Sequence, residues 1–147
     1  MGQPKAPREG PDPVSYDVLN TSIPLGVGNA RVNLSKLYFF HQFISNSFSY
    51  PKDYILEACI RSEKYGETSI RNRGAYFLCL LSGERNIRDA MNLLGCKDND
   101  TKAILVIESG HNNELENLGI SFTSMEQSCD RPDFYSSMAM VEMELIH

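Results

Sequence analysis

The sequence predicts an α+β fold: a single domain in which a small mixed or antiparallel sheet packs with several α-helices. Three observations point there. Apolar residues recur at helical spacing in residues 51–64, 87–94 and 134–145. The uninterrupted apolar run Ala103-Ile-Leu-Val-Ile107 has the length of a strand buried on both faces. A chain of 147 residues, 41% hydrophobic and 22% charged, is the size and composition of one ordinary core.

The elements follow in chain order. Residues 1–13 hold four prolines and two glycines among short and charged side chains, so they bury too little to offset ordering entropy, and they read as a tail before a domain spanning residues 14–147. From 14 to 32, β-branched residues alternate with the breakers Pro24, Gly26 and Gly28, which predicts short strands at 22–27 and 30–32. Leu34, Leu37, Tyr38 and His41 then fall at helical spacing inside a segment that Phe39, Phe40, Phe43 and Ile44 make apolar nearly all round, a buried helix.

Residues 49–64 form the clearest helix: Ser49 as cap, Pro51 and Asp53 in the first turn, Tyr54, Ile55, Ala58 and Cys59 as the apolar stripe, and Gly66 as the stop. The run from Ala75 to Leu81 fits a buried helix or a buried strand equally by period, and the Ser82-Gly83 stop favours helix. Asn86 with Asp89 imitates a capping box ahead of Ile87, Ala90, Met91 and Leu94 at i, i+3, i+4 and i+7, a short amphipathic helix ended by Gly95. Asp98-Asn99-Asp100 is a turn before the central strand, residues 112–118 suit a short helix, 120–123 an edge strand and 127–133 a polar connector. Phe134, Met138, Val141 and Leu145 fall on a helical stripe at the end, while Met138, Met140 and the final Glu-Leu-Ile would also suit a strand; the stripe favours helix.

The chemical motifs that an enzyme or a cofactor would need do not assemble. Cys59, Cys79, Cys96 and Cys129 contain no CxxC pair and read as small buried apolar groups. Of three histidines, His41 sits in the aromatic-rich segment, His111 in a turn and His147 at the end; a lone histidine among apolar neighbours is a weak candidate base. A fingerprint starting at Gly26-Val-Gly28 meets Arg31 where it needs glycine, and a calcium loop starting at Asp98 meets Ala103 and Ser109 where it needs glycine and glutamate. No cofactor is expected. No apolar run approaches the roughly 20 residues of a membrane span, and the proline-broken start lacks a signal peptide's apolar core, which points to the cytoplasm, with the nucleus added in a eukaryote. The sequons at Asn20, Asn33 and Asn99 are then chance tripeptides.

Charge gives the strongest positive signal. Residues 61–88 carry Arg61, Lys64, Arg71, Arg73, Arg85 and Arg88 against Glu63, Glu67 and Glu84, a net of +3, while the remaining 8 basic and 16 acidic residues leave −8 and the chain totals −5. The arginine fork matches phosphate, and Arg71, Arg73 and Arg85 lie beside turn signals from which they could point outward together; the bland alternative is pairing with nearby glutamates. The stripe of Ile87, Met91 and Leu94, together with Met138, Met140 and Met143, suits either core packing or an adaptable partner surface.

At residues 69–95 the order and spacing of Arg71, Leu78, Ser82, Gly83, Ile87, Ala90 and Gly95 resemble the signature of the Cgi-type subunit family of the KEOPS/EKC complex. Phe43-Ile-Ser-Asn with Tyr54-Ile-Leu-Glu-Ala-Cys resembles that family's lead into its first long helix, and residues 98–107 resemble its turn and strand; Tyr76 departs from the family's usual glutamate. The resemblance implies a non-enzymatic subunit. It would bind and stimulate the Bud-type kinase/ATPase, meet the other KEOPS subunits indirectly, and help recruit tRNA by its 3′ acceptor end for N6-threonylcarbamoyladenosine (t6A) modification at position 37. On this reading Arg71 and Arg73, with Lys64, Arg31 and Arg85 behind them, contact tRNA, and Ile87, Met91, Leu94, Val141 and Leu145 form the kinase-docking face. Two other readings remain: a kinase-docking regulatory subunit without RNA contact, and a small ligand-binding or enzymatic domain using His41 and a cysteine.

Overall fold

The alternation of side chains along β-strands decides the layering. A computed structural model describes residues 14–37, 39–47, 50–64, 73–125 and 132–145. Its strands β1 (Tyr16–Ser22), β2 (His41–Ile44), β3 (Lys102–Glu108) and β4 (Ser121–Ser124) form one antiparallel sheet in the order β2-β3-β1-β4. Successive residues face opposite sides. Val18, Ile44, Ile104 and Val106 enter one apolar cluster, and Leu19, Phe43, Ala103, Leu105 and Ile107 enter another. The first cluster is completed by α2 (Lys52–Lys64), α3 (Arg73–Ser82), α4 (Ile87–Leu94) and α6 (Pro132–Leu145); the second by α1 (Val27–Leu34) and α5 (Asn112–Asn117). This is the α+β single domain that the sequence predicts, with helices on both faces of an antiparallel sheet. Among the described residues no helix is long and apolar enough to cross a membrane.

Most elements lie where the periodicity places them, including the helical form of the run ending at Ser82 and the doubly covered strand at 103–107. Cys59 and Cys79 are buried and Cys96 half-buried. Two expectations fail. The strands at 22–27 and 30–32 are not formed; the strand is Tyr16–Ser22, and Val27, Ala30 and Leu34 instead make the buried side of α1. The segment expected as a buried helix through His41 is the end of α1, a turn and then β2, because β3 offers an edge where Phe43 and Ile44 can each enter a different core. The proposed tail at 1–13, the Ser49 cap, the Gly66 stop and Cys129 lie outside the described residues, as does most of the connector at 127–133.

The glycines that imitate a nucleotide loop have a packing role. The Val27 and Gly28 N–H groups donate to the Asp100 and Asp98 carbonyls, so the start of α1 is capped by the turn before β3. Gly26 has φ of 91°, and a Cβ there would stand 2.7 Å from the Asp98 carbonyl oxygen. Gly26→Ala should therefore destabilise the fold by about 3 kcal/mol through backbone strain and collision, read as a lower urea midpoint.

Candidate docking interface

Helix α4 begins with a cap that its sequence dictates. The Asn86 side-chain oxygen accepts from the Arg88 N–H at 2.8 Å and the Asp89 N–H at 3.2 Å, and the Gly95 N–H closes the helix on the Met91 carbonyl. Ala90 and Leu94 anchor it, both fully buried, leaving Ile87 and Met91 on one flank 40% and 49% exposed. On the other flank Asp89, Asn92 and Leu93 line an open groove with Glu84. On α6 the same split appears: Met138 and Val141 are buried, whereas Met140 and Met143 are exposed.

Of the five residues assigned to a docking face, Ile87 and Met91 are thus presented to solvent. Leu94 and Val141 are core residues that no partner can reach without unfolding, and the side chain of Leu145 lies outside what the structure describes. Sequence periodicity missed the exposure of Leu93; its signal is its place off the Ala90–Leu94 stripe.

Among the described residues the arginines are not gathered into one outward patch. Arg73, the first residue of α3, turns inward: Nε donates to Ser62 Oγ at 3.0 Å, and Nη2 to Tyr16 Oη at 2.8 Å and to the Cys59 carbonyl at 3.0 Å. Its guanidinium carbon lies 3.9 Å from the centroid of the Phe40 ring, a cation–π contact, and Tyr16 passes the network on by donating to Glu63 Oε1 at 2.9 Å. The expectation that Arg73 points outward is therefore corrected: β1, α2 and the approach to β2 meet on it. Arg61 pairs with Glu57 in its own helix at 2.8 Å and joins α2 to α6 through Glu142 at 3.1 Å. Arg31 lies on α1, which covers the opposite face of the sheet, and it reaches the Cys96 carbonyl at 3.1 Å and Asp98 at 3.4 Å. Arg85 is exposed just before α4, beside exposed Arg88; Arg71 lies outside the described residues, and of Lys64 only the backbone, at the end of α2, is described.

Burial dominates the surroundings of the thiols and of His41, the groups named above for catalysis. Burial pushes the Cys59 thiol up to about 12, partly offset by Arg73, and holds Cys79 and Cys96 near 11. His41 is lowered, chiefly by burial. It stands on the sheet face opposite the cluster that holds Cys59 and Cys79. Among the described residues no group of three histidine, cysteine or acidic side chains could hold a metal ion. In comparisons with known proteins, no family model matches the chain and no curated protein matches it.

Proposed function

We propose that this chain is a non-catalytic accessory subunit of the KEOPS/EKC type, which docks through the exposed flank of α4 on a Bud-type kinase/ATPase and stimulates t6A formation on tRNA in the cytoplasm. The observation that carries it is the division of labour on α4. Two buried residues are enough to seat this capped helix, and two large apolar side chains, Ile87 and Met91, are left for a partner. The resemblance of residues 69–95 supplies the partner's identity. On the tRNA side, Arg71, Lys64 and Arg85 are the candidates for phosphate contact, and the other KEOPS subunits meet this one through the kinase.

A second reading, docking without RNA contact, is favoured by one observation: Arg61 and Arg73 are engaged within the fold, which shrinks the basic island. Co-expression with the kinase tests the shared core of both readings. The double variant Ile87→Glu, Met91→Glu should lose co-purification while its unfolding free energy, measured in urea, stays within about 0.5 kcal/mol of the parent chain, as expected of surface changes. Undiminished co-purification would remove α4 as the docking face.

A further inference from the structure

The sheet has two edges, and the chain treats them differently. At the β2 edge the Glu108 N–H donates to the Phe40 carbonyl, so the alternation of an antiparallel ladder turns Gln42 and Ile44 toward β3 and His41, Phe43 and Ser45 outward. That outer edge is partly covered by the chain itself: the Gln42 side-chain amide donates to the Phe43 carbonyl at 3.2 Å, and the Ser45 N–H donates to the Leu94 carbonyl at 2.7 Å.

At the β4 edge the Met125 N–H donates to the Val18 carbonyl. With Asn20 opposite Thr123 and Ser22 opposite Ser121, these pairs take the inward bonds, and the N–H and C=O groups of Phe122 and Ser124 face outward. Among the described residues nothing pairs with them. Ser121, Thr123 and Ser124 are exposed, and the strand, Ser-Phe-Thr-Ser, carries none of the charges or prolines that usually guard an edge.

We propose that the outer edge of β4 is a self-association surface whose occupant is β4 of a second copy, paired antiparallel about a two-fold axis at Thr123. Self-complementarity argues for this occupant. The two-fold sets Phe122 against Ser124 of the second copy, so each of the four outward groups on one strand meets its counterpart, and no like charges face each other across the axis. Two sheets of four strands become one of eight. So short a pairing buries well under the roughly 1,200 Å² of a stable interface, so the dimer is weak, and added salt strengthens it by screening the net charge of −5 on each copy.

Sedimentation of the full chain at concentrations rising toward about 1 mM should show the mass climb from one copy toward two, further at higher salt. The register gives the sharper test. Thr123 would face its own counterpart in a non-hydrogen-bonded pair, with Cα atoms about 4.5 Å apart, within disulfide range. Under mild oxidation Thr123→Cys should cross-link well above the unsubstituted chain, whose own cysteines set the background, and Ser121→Cys, out of step with its counterpart, should not. Thr123→Asp and Thr123→Lys should each weaken the dimer about tenfold or more by placing like charges face to face, with the urea midpoint of the monomer unchanged. A mass of one copy at every concentration, equal cross-linking of the two cysteine variants, or a dimer indifferent to both charges would overturn the proposal.

Discussion

Replacing Arg73 by alanine should destabilise the protein by about 3 kcal/mol, because it removes the donor shared by three oxygens on two elements and leaves each of these partly buried groups one hydrogen bond short. The acceptors are Tyr16 Oη, Ser62 Oγ and the Cys59 carbonyl, and the aromatic face of Phe40 loses its cation as well. Lysine should recover only part of the loss. A point charge can sit over Phe40, but it lacks the fork that reaches Ser62 and Tyr16 together. Urea denaturation of Arg73→Ala and Arg73→Lys checks the order, and equal midpoints for both variants and the parent would reject a structural role. The consequence for function is direct: any loss of tRNA binding on reversing Arg73 would report the fold, so Arg71→Glu is the informative substitution for RNA contact. Weaker binding with a shallower salt slope is expected from it if Arg71 meets phosphate.

What the sequence disclosed, and what it hid, follows from the range of the forces involved. Strand β3 was legible because five consecutive apolar residues have only one use in a chain of this size, a strand covered on both faces. Helix α4 was legible because its cap and its stripe are written within nine residues. Strand β1 was not, because it holds polar residues at a central position; Thr21 is buried, and its hydroxyl donates to the Ala103 carbonyl, 82 positions away. Helix α1 shows the right spacing in Val27, Ala30 and Leu34, yet Gly26 and Gly28 read as breakers until the turn at 98–100 is seen packed against them. The same distinction governs the docking face. Spacing identifies the stripe of Ile87, Ala90, Met91 and Leu94, but which half of it the core covers depends on where α3 and β2 lie, and that information is not local. The inward turn of Arg73 is hidden for the same reason: a turn-side arginine looks solvated until Tyr16 and Phe40 arrive from distant parts of the chain.

That split of one stripe into two roles yields the second large effect. Leu94 has no exposed surface, and its neighbours in the first core cluster come from the other helices of that layer and from the sheet, so Leu94→Ala should lower stability by about 2–5 kcal/mol through lost burial and the cavity left behind. Met91, one turn earlier and half-exposed, should tolerate Met91→Ala within about 0.5 kcal/mol. The two variants separate folding from docking when each is measured for both. Met91→Ala should weaken the kinase complex at an unchanged urea midpoint, whereas Leu94→Ala should lower the midpoint while any molecules still folded present an unaltered docking flank. Stability lost equally at both positions would mean that α4 is wholly a core helix, and its exposed flank would then lose its claim to a partner.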